Sequence, residues 1–136
     1  MTSASAPPTI TDEFHKALKV VEQGRHVFIT GKAGTGKSTL LRLICERLTS
    51  KCIAVLAPTG VAALHVEGET IHSFFAFRPE LTPALEKYRA PKCLEDLDIL
   101  IVDEVSMARA DLVDMMDTAL KRRRKSSAPF GGIQFI

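Results

Sequence analysis

Apolar residues in this chain recur every three or four positions in some stretches and form short continuous runs in others. Phe14, Ala17, Leu18 and Val21 follow Thr11 at helical spacing and Gly24 supplies a stop, which predicts a helix. Leu40, Leu41, Ile44, Cys45 and Leu48 mark a second helix, and Leu112, Val113, Met116 and Leu120 a third. The third has Asp111 and Asp114 near its start and Lys121-Arg122-Arg123-Arg124-Lys125 at its end, an order that suits the helix dipole. Three continuous runs read as buried strands: Val27-Phe28-Ile29-Thr30, Cys52 to Ala57, and Ile99-Leu100-Ile101-Val102. After Pro129, Gly131 to Ile136 reads as one more. Short helical turns are expected over 61–77, and a loop with one short helix from Thr82-Pro83 over 78–96. Residues 1–10 are small, polar and proline-containing, which predicts a disordered leader. Apolar strands alternating with amphipathic helices imply an α/β fold, a parallel sheet covered on both faces.

Composition narrows the class without naming a function. The 136 residues are 46% hydrophobic and 25% charged, enough for one domain with its own core. No apolar run approaches the roughly 18 residues a membrane span needs, and Met1 to Pro8 lacks a secretory signal's charged-then-apolar pattern. Cytosol, nucleoid or nucleus are the expected locations. The net charge is +2, but five of the basic residues sit in Lys121–Lys125, leaving thirteen basic against sixteen acidic. A nucleic-acid site must therefore be local. The basic run itself reads first as a solvated helix end. Cys45, Cys52 and Cys93 have no C-x-x-C spacing and apolar company, so they read as buried free thiols, with no metal-ligand cluster.

The chemistry concentrates in one loop. Gly31-Lys32-Ala33-Gly34-Thr35-Gly36-Lys37-Ser38 fits the phosphate-loop pattern G-x-x-x-x-G-K-[ST] at every fixed position, between a predicted strand and a predicted helix. Its glycines let backbone N–H groups face phosphate oxygens, and the following helix adds its positive end. Gly31, Ala33, Gly34, Thr35, Gly36, Lys37, Ser38 and Thr39 are the candidate nucleotide-binding residues. Lys37 should reach the β- and γ-phosphates of ATP, and the Ser38 hydroxyl should ligate Mg²⁺. Asp103 and Glu104 end the third apolar run, where open α/β sheets bind ligands. Asp103 is expected on the Mg²⁺ shell and Glu104 as the base for an attacking water.

Further blocks narrow the class. Ala57-Pro58-Thr59-Gly60-Val61-Ala62-Ala63-Leu64, Thr70-Ile71-His72-Ser73-Phe74-Phe75, Ile101-Val102-Asp103-Glu104-Val105-Ser106-Met107 and Phe130-Gly131-Gly132-Ile133-Gln134 occur in order after the phosphate loop. Together they resemble the PIF-type (petite integration frequency) DNA helicases of superfamily one, from about Ile29 to Ile136. The resemblance implies a P-loop NTPase with a RecA-like central parallel sheet. It also implies an ATP-driven motor that moves 5′ to 3′ on single-stranded DNA and unwinds duplex, in repair, recombination or replication. It assigns DNA contact to Pro58, Thr59, Gly60, His72, Ser73 and Phe74. Hydroxyls and N–H groups there can bind phosphates, and an exposed phenylalanine can stack on a base; spacing alone puts Phe74 and Phe75 in the core.

The sequence also departs from the family pattern. Members usually carry an adenine-reading glutamine upstream of the phosphate loop. The comparable stretch here, Ile10-Thr11-Asp12-Glu13-Phe14, has none, which leaves other nucleotides open as ligands. His65 and Glu67 replace an asparagine and a small residue, and Glu67 and Glu69 add negative charge beside the implied DNA track. The pattern's G-D-x-x-Q-L-P-P block and second motor domain, with its arginine finger, are not in these residues. Residues 11–136 are therefore expected to be a partial N-terminal ATP-binding domain that binds Mg-nucleotide but hydrolyses it feebly alone. Three other readings share the phosphate loop. A small-molecule kinase would need a lid with arginines, and a non-catalytic nucleotide-binding regulator would fit the lack of an arginine finger. A clamp-loader-type ATPase is disfavoured by the Thr70–Phe75 block.

Overall fold

Helix α1 (Asp12–Glu22) starts where the Thr11 hydroxyl accepts the Phe14 N–H at 3.3 Å and stops before Gly24, whose φ of +75° ends the helix. The computed structural model describes residues 9–78 and 88–136. The phosphate loop runs into α2 (Lys37–Arg47), followed by β1 (Ile53–Ala57), α3 (Gly60–His65), β2 (Glu69–Thr70) and α4 (Ile71–Phe75). Then come β3 (Ile99–Val102), α5 (Ala110–Arg124) and β4 (Gln134–Phe135), with 3₁₀ turns at Lys92–Glu95, Val105–Met107 and Pro129–Gly132.

The four strands form one parallel sheet in the order β2-β1-β3-β4, with Ile53 opposite Ile99 and Leu56 opposite Val102. Alternation along the strands divides the core. Ile53, Val55, Ile99 and Ile101 pack with Leu18, Val21, Leu40 and Ile44 of α1 and α2. Ala54, Leu56, Leu100 and Val102 pack with Phe75 of α4 and Met116 and Leu120 of α5. Both sheet faces are thus covered by helices, which is why all four residues of β3 are buried. The link from α3 to β2 lies so close to the sheet that a Cβ on Gly68 would fall 2.3 Å from the Val55 carbonyl oxygen, so only glycine fits.

At the amino ends of the strands, charged groups brace the fold. Arg124 at the end of α5 donates to the carbonyls of Leu94 (3.1 Å), Glu95 (2.7 Å), Leu97 (2.9 Å) and Gly131 (3.0 Å). It ties α5 to the turns that precede β3 and β4. Arg123 pairs with Glu95 at 2.9 Å and Lys121 with Asp117 at 2.6 Å, while Asp117 also accepts the Phe130 N–H. Burial works against the Asp117 charge, but the Lys121 bond, the Phe130 N–H and the Lys121 charge together hold its carboxyl below its ordinary value. Tyr88 donates to the Phe75 carbonyl at 2.5 Å; burial, with Cys93 adding to it, pushes the phenol up to about 12.

Several sequence expectations are corrected by the structure. Lys121, Arg123 and Arg124 are not a solvated helix end, because intramolecular acceptors hold all three. Val27–Thr30 is not a regular strand. Val27 N–H reaches the Phe135 carbonyl at 3.1 Å, but the reciprocal backbone bond is missing. The Arg25 carbonyl takes the Gln134 side-chain amide instead (2.7 Å), and Phe135 N–H goes to His26 Nδ1 (3.0 Å). Gly131 to Ile133 are not strand either: Phe130 and the two glycines have positive φ, so β4 begins only at Gln134. Cys52 and Cys93 are exposed and only Cys45 is half-buried, its thiol pushed up by burial. Over 61–77 the helical turns are present as α3 and α4, with the unforeseen strand β2 between them. The helix at Thr82-Pro83 and all but the last two residues of the leader lie outside the described residues.

Candidate nucleotide site and its surroundings

Backbone shape makes the phosphate loop before any ligand arrives. Gly34 (φ +78°) and Gly36 (φ +90°) take left-handed conformations that residues with a Cβ rarely adopt. A Cβ on Gly31 would lie 2.8 Å from Thr35 Oγ1, so the two ends of the loop approach closely. Thr35 Oγ1 donates to the Lys32 carbonyl at 2.7 Å, and Lys37 Nζ donates to the carbonyls of Gly31 (2.6 Å) and Lys32 (3.1 Å). The Lys37 ammonium therefore lies folded over its own loop, on acceptors that an anionic ligand could replace. Ser38 and Thr39 follow in the first turn of α2, Ser38 exposed, and Ala33 is exposed at the loop's tip.

Gly31 and Lys37 line a cleft of about 690 Å³ together with Asp103, Glu104 and the apolar Leu41, Ile101 and Phe135. Asp103 is half-buried where β3 ends, its N–H bonded to the Leu56 carbonyl at 2.8 Å. Glu104 is exposed and left-handed (φ +52°), a conformation that costs a residue with a Cβ about 1 kcal/mol. That turn redirects the chain at the strand end and leaves the carboxylate at the cleft. The arrangement brings a cation and two carboxylates together beside the glycine-rich loop, which is the equipment for binding a polyphosphate and activating water.

Pro58-Thr59-Gly60 and His72-Ser73-Phe74 follow the ends of the paired strands β1 and β2, on the same sheet edge as Asp103. Their hydroxyls have internal duties. Thr59 Oγ1 accepts the Ala62 N–H at 3.3 Å as the cap of α3, and Ser73 Oγ donates to Glu69 Oε1 at 2.8 Å. Phe75 is fully buried, as spacing implied, whereas Phe74 is half-buried and meets Phe75 edge-on. His72 is half-buried.

The model of the PIF1-like helicase family matches residues 9–136, nearly the whole chain. The chain belongs to the PIF1-like helicase family. It is similar to the ATP-dependent DNA helicase PIF1 of Emericella nidulans, 38% identical over 149 residues, covering 100% of this chain and 20% of that protein. Among solved structures it is similar to Bacteroides Pif1 bound to ssDNA, at 38% identity and a TM-score of 0.84, covering 95% of this chain and 31% of that one. It is also similar to Bacteroides Pif1 in complex with ADP-AlF4, at 37% identity and a TM-score of 0.83, again covering 95% of this chain and 31% of that one. The fold is thus that of the Pif1 RecA-like domain. The chain spans about a fifth of the length of the curated relatives it matches.

Two contacts beside the PIF1-like loop were not legible in the sequence. Phe14 of α1 lies against Gly36, its Cζ 2.9 Å from where a Cβ would sit. Gln134 donates to the carbonyls of Val21 (3.0 Å) and Arg25 (2.7 Å), anchoring the chain that leads into the loop. Periodicity marks Phe14 only as a core-facing helical residue, and Gln134 only as a strand residue.

Proposed function

We propose that this chain is the nucleotide-binding motor domain of an ATP-dependent DNA helicase that moves 5′ to 3′ on single-stranded DNA and unwinds duplex. The single observation that carries the reading is the cleft that Lys37 and Gly31 share with Asp103 and Glu104. The names of the similar proteins, an ATP-dependent DNA helicase and a Pif1 bound to ssDNA, support the substrate class.

The residues suit Mg-ATP. Ser38 and Asp103 are hard oxygen donors, and no group of three or more His, Cys, Asp or Glu side chains able to hold a metal exists among the described residues. That suits Mg²⁺, which is commonly bound by one or two protein oxygens with substrate phosphates and water. When bound, the cation would neutralise charge on the phosphates. Lys37 would exchange its loop carbonyls for the β- and γ-phosphate oxygens, and the N–H groups of Gly34 and Gly36 would bind the inner phosphates. Glu104 would orient the attacking water and accept its proton.

Pro58-Thr59-Gly60 and His72-Ser73-Phe74 would lie along the DNA strand, Thr59 still able to donate its hydroxyl proton to a phosphate. Residues 11–136 would act with a second motor domain that supplies an arginine at the γ-phosphate. Such an arginine contributes about 10³–10⁵ in kcat, so this chain alone would bind nucleotide and hydrolyse it feebly. Calorimetry with Mg-ATP, on this chain and on Lys37→Ala, with and without a single-stranded DNA oligomer, tests the reading. Binding that is lost in the variant and altered by DNA is the expected result; binding indifferent to DNA would overturn the helicase assignment, and rapid turnover by this chain alone would overturn the need for a second domain.

A further inference from the structure

The loop's two flanks are unlike. One opens to the cleft with Lys37, Asp103 and Glu104, where a terminal phosphate would lie; Phe14 is not among that cleft's residues. A nucleotide whose outer phosphate faces that cleft must leave the loop on the other flank, where Gly36 meets the first turn of α1. The inference rests on the nucleotide site proposed above and concerns its base.

What α1 offers there is chemically narrow. Phe14 is half-buried, with its Cζ against Gly36 and part of the ring packed on the Leu18–Leu40 core. The Thr11 hydroxyl is occupied as the helix cap, accepting the Phe14 N–H. Asp12 and Glu13 are acceptors only when ionised, and Ile10 is apolar. Adenine presents an amino donor and a ring-nitrogen acceptor side by side, so one side chain reading both needs an adjacent donor and acceptor, as a carboxamide has. No side chain from Ile10 to Phe14 carries that pair. An aromatic ring, by contrast, meets the face that all bases share.

We infer that Phe14 is the base platform of this nucleotide site and sets its selectivity, holding purine nucleotides by ring contact without choosing adenine over guanine. The test is competitive titration of the full chain with ADP, GDP and inorganic pyrophosphate in the presence of Mg²⁺, repeated on Phe14→Ala and Phe14→Gln. The chain should bind ADP and GDP within about threefold of each other. Phe14→Ala should weaken both by about tenfold, the scale of one lost stacking contact, while pyrophosphate stays within about twofold. Phe14→Gln should shift the ratio toward ADP by about fivefold, the scale of a net hydrogen bond.

A tenfold preference of the unaltered chain for ADP would overturn the inference. So would Phe14→Ala leaving both nucleotides unchanged, an unmoved ratio in Phe14→Gln, or pyrophosphate falling in step with the nucleotides, which would make Phe14 only a support of the loop. Failure of the unaltered chain to bind pyrophosphate or either nucleotide would overturn the nucleotide site itself.

Discussion

The two edges of the parallel sheet use their charged residues in opposite ways. At the carboxyl edge, Lys37 rests on two carbonyls of its own loop, and Glu104 stands exposed in a left-handed turn. At the amino edge, Arg124 satisfies four carbonyls from two separate turns, and Asp117 is held by Lys121 and the Phe130 N–H. One edge keeps its charges available for a ligand; the other uses them to fix the turns that feed β3 and β4. The same residue types thus stay on their own loop or exposed at one edge and tie separate turns together where carbonyls converge at the other.

Arg124→Ala should break that contrast most severely. It would strip a part-buried cluster of carbonyls of its donor, and urea denaturation should register a loss of about 3 kcal/mol. Lys37→Ala should act on the other edge alone. Nucleotide affinity measured by calorimetry should fall about 100-fold, roughly 2.7 kcal/mol, while the denaturation midpoint barely moves.

Tyr88→Phe removes the bond to the Phe75 carbonyl and should cost about 1 kcal/mol near neutral pH. The raised Tyr88 pKa also has a sign. Its stabilisation is fully present below pH 10, and is lost as pH rises from there through about 12. An alkaline denaturation series should show that slope in the unaltered chain and a flatter one in Tyr88→Phe.

Asp117→Asn should have the smallest effect, about 0.5 kcal/mol at pH 7 for a partly exposed pair. Because the folded carboxyl is depressed, its contribution is present above its unfolded value of 3.8 and fades as pH falls through the lower folded value. The gap between the two proteins should therefore close in acid.

Much of the candidate site was legible in the sequence because its chemistry is local. The glycines of the loop, Lys37 and Ser38 lie within eight consecutive residues, and β3 hands the chain directly to Asp103 and Glu104. The three helices were legible for the same reason, each a single stretch at helical spacing. Val27–Thr30 was misread because a strand needs a partner. Whether its ladder forms depends on Gln134 and Phe135, more than a hundred positions away, and there His26 and the Gln134 amide displace the backbone bonds. The basic run was misread because charge alone does not reveal that the Leu94–Leu97 turn and Gly131 present carbonyls to Arg124.

The sequence by itself determined the alternation of helix and strand, the phosphate loop, and the acidic pair at the end of β3, since each is set by neighbours a few residues apart. Tertiary structure alone decided which cations were bound internally, where β4 begins, and that Phe14 sits on Gly36. Those outcomes depend on backbone donors and acceptors, or bare glycine surface, brought together from distant parts of the chain, and the pattern of side chains carries no record of where they meet.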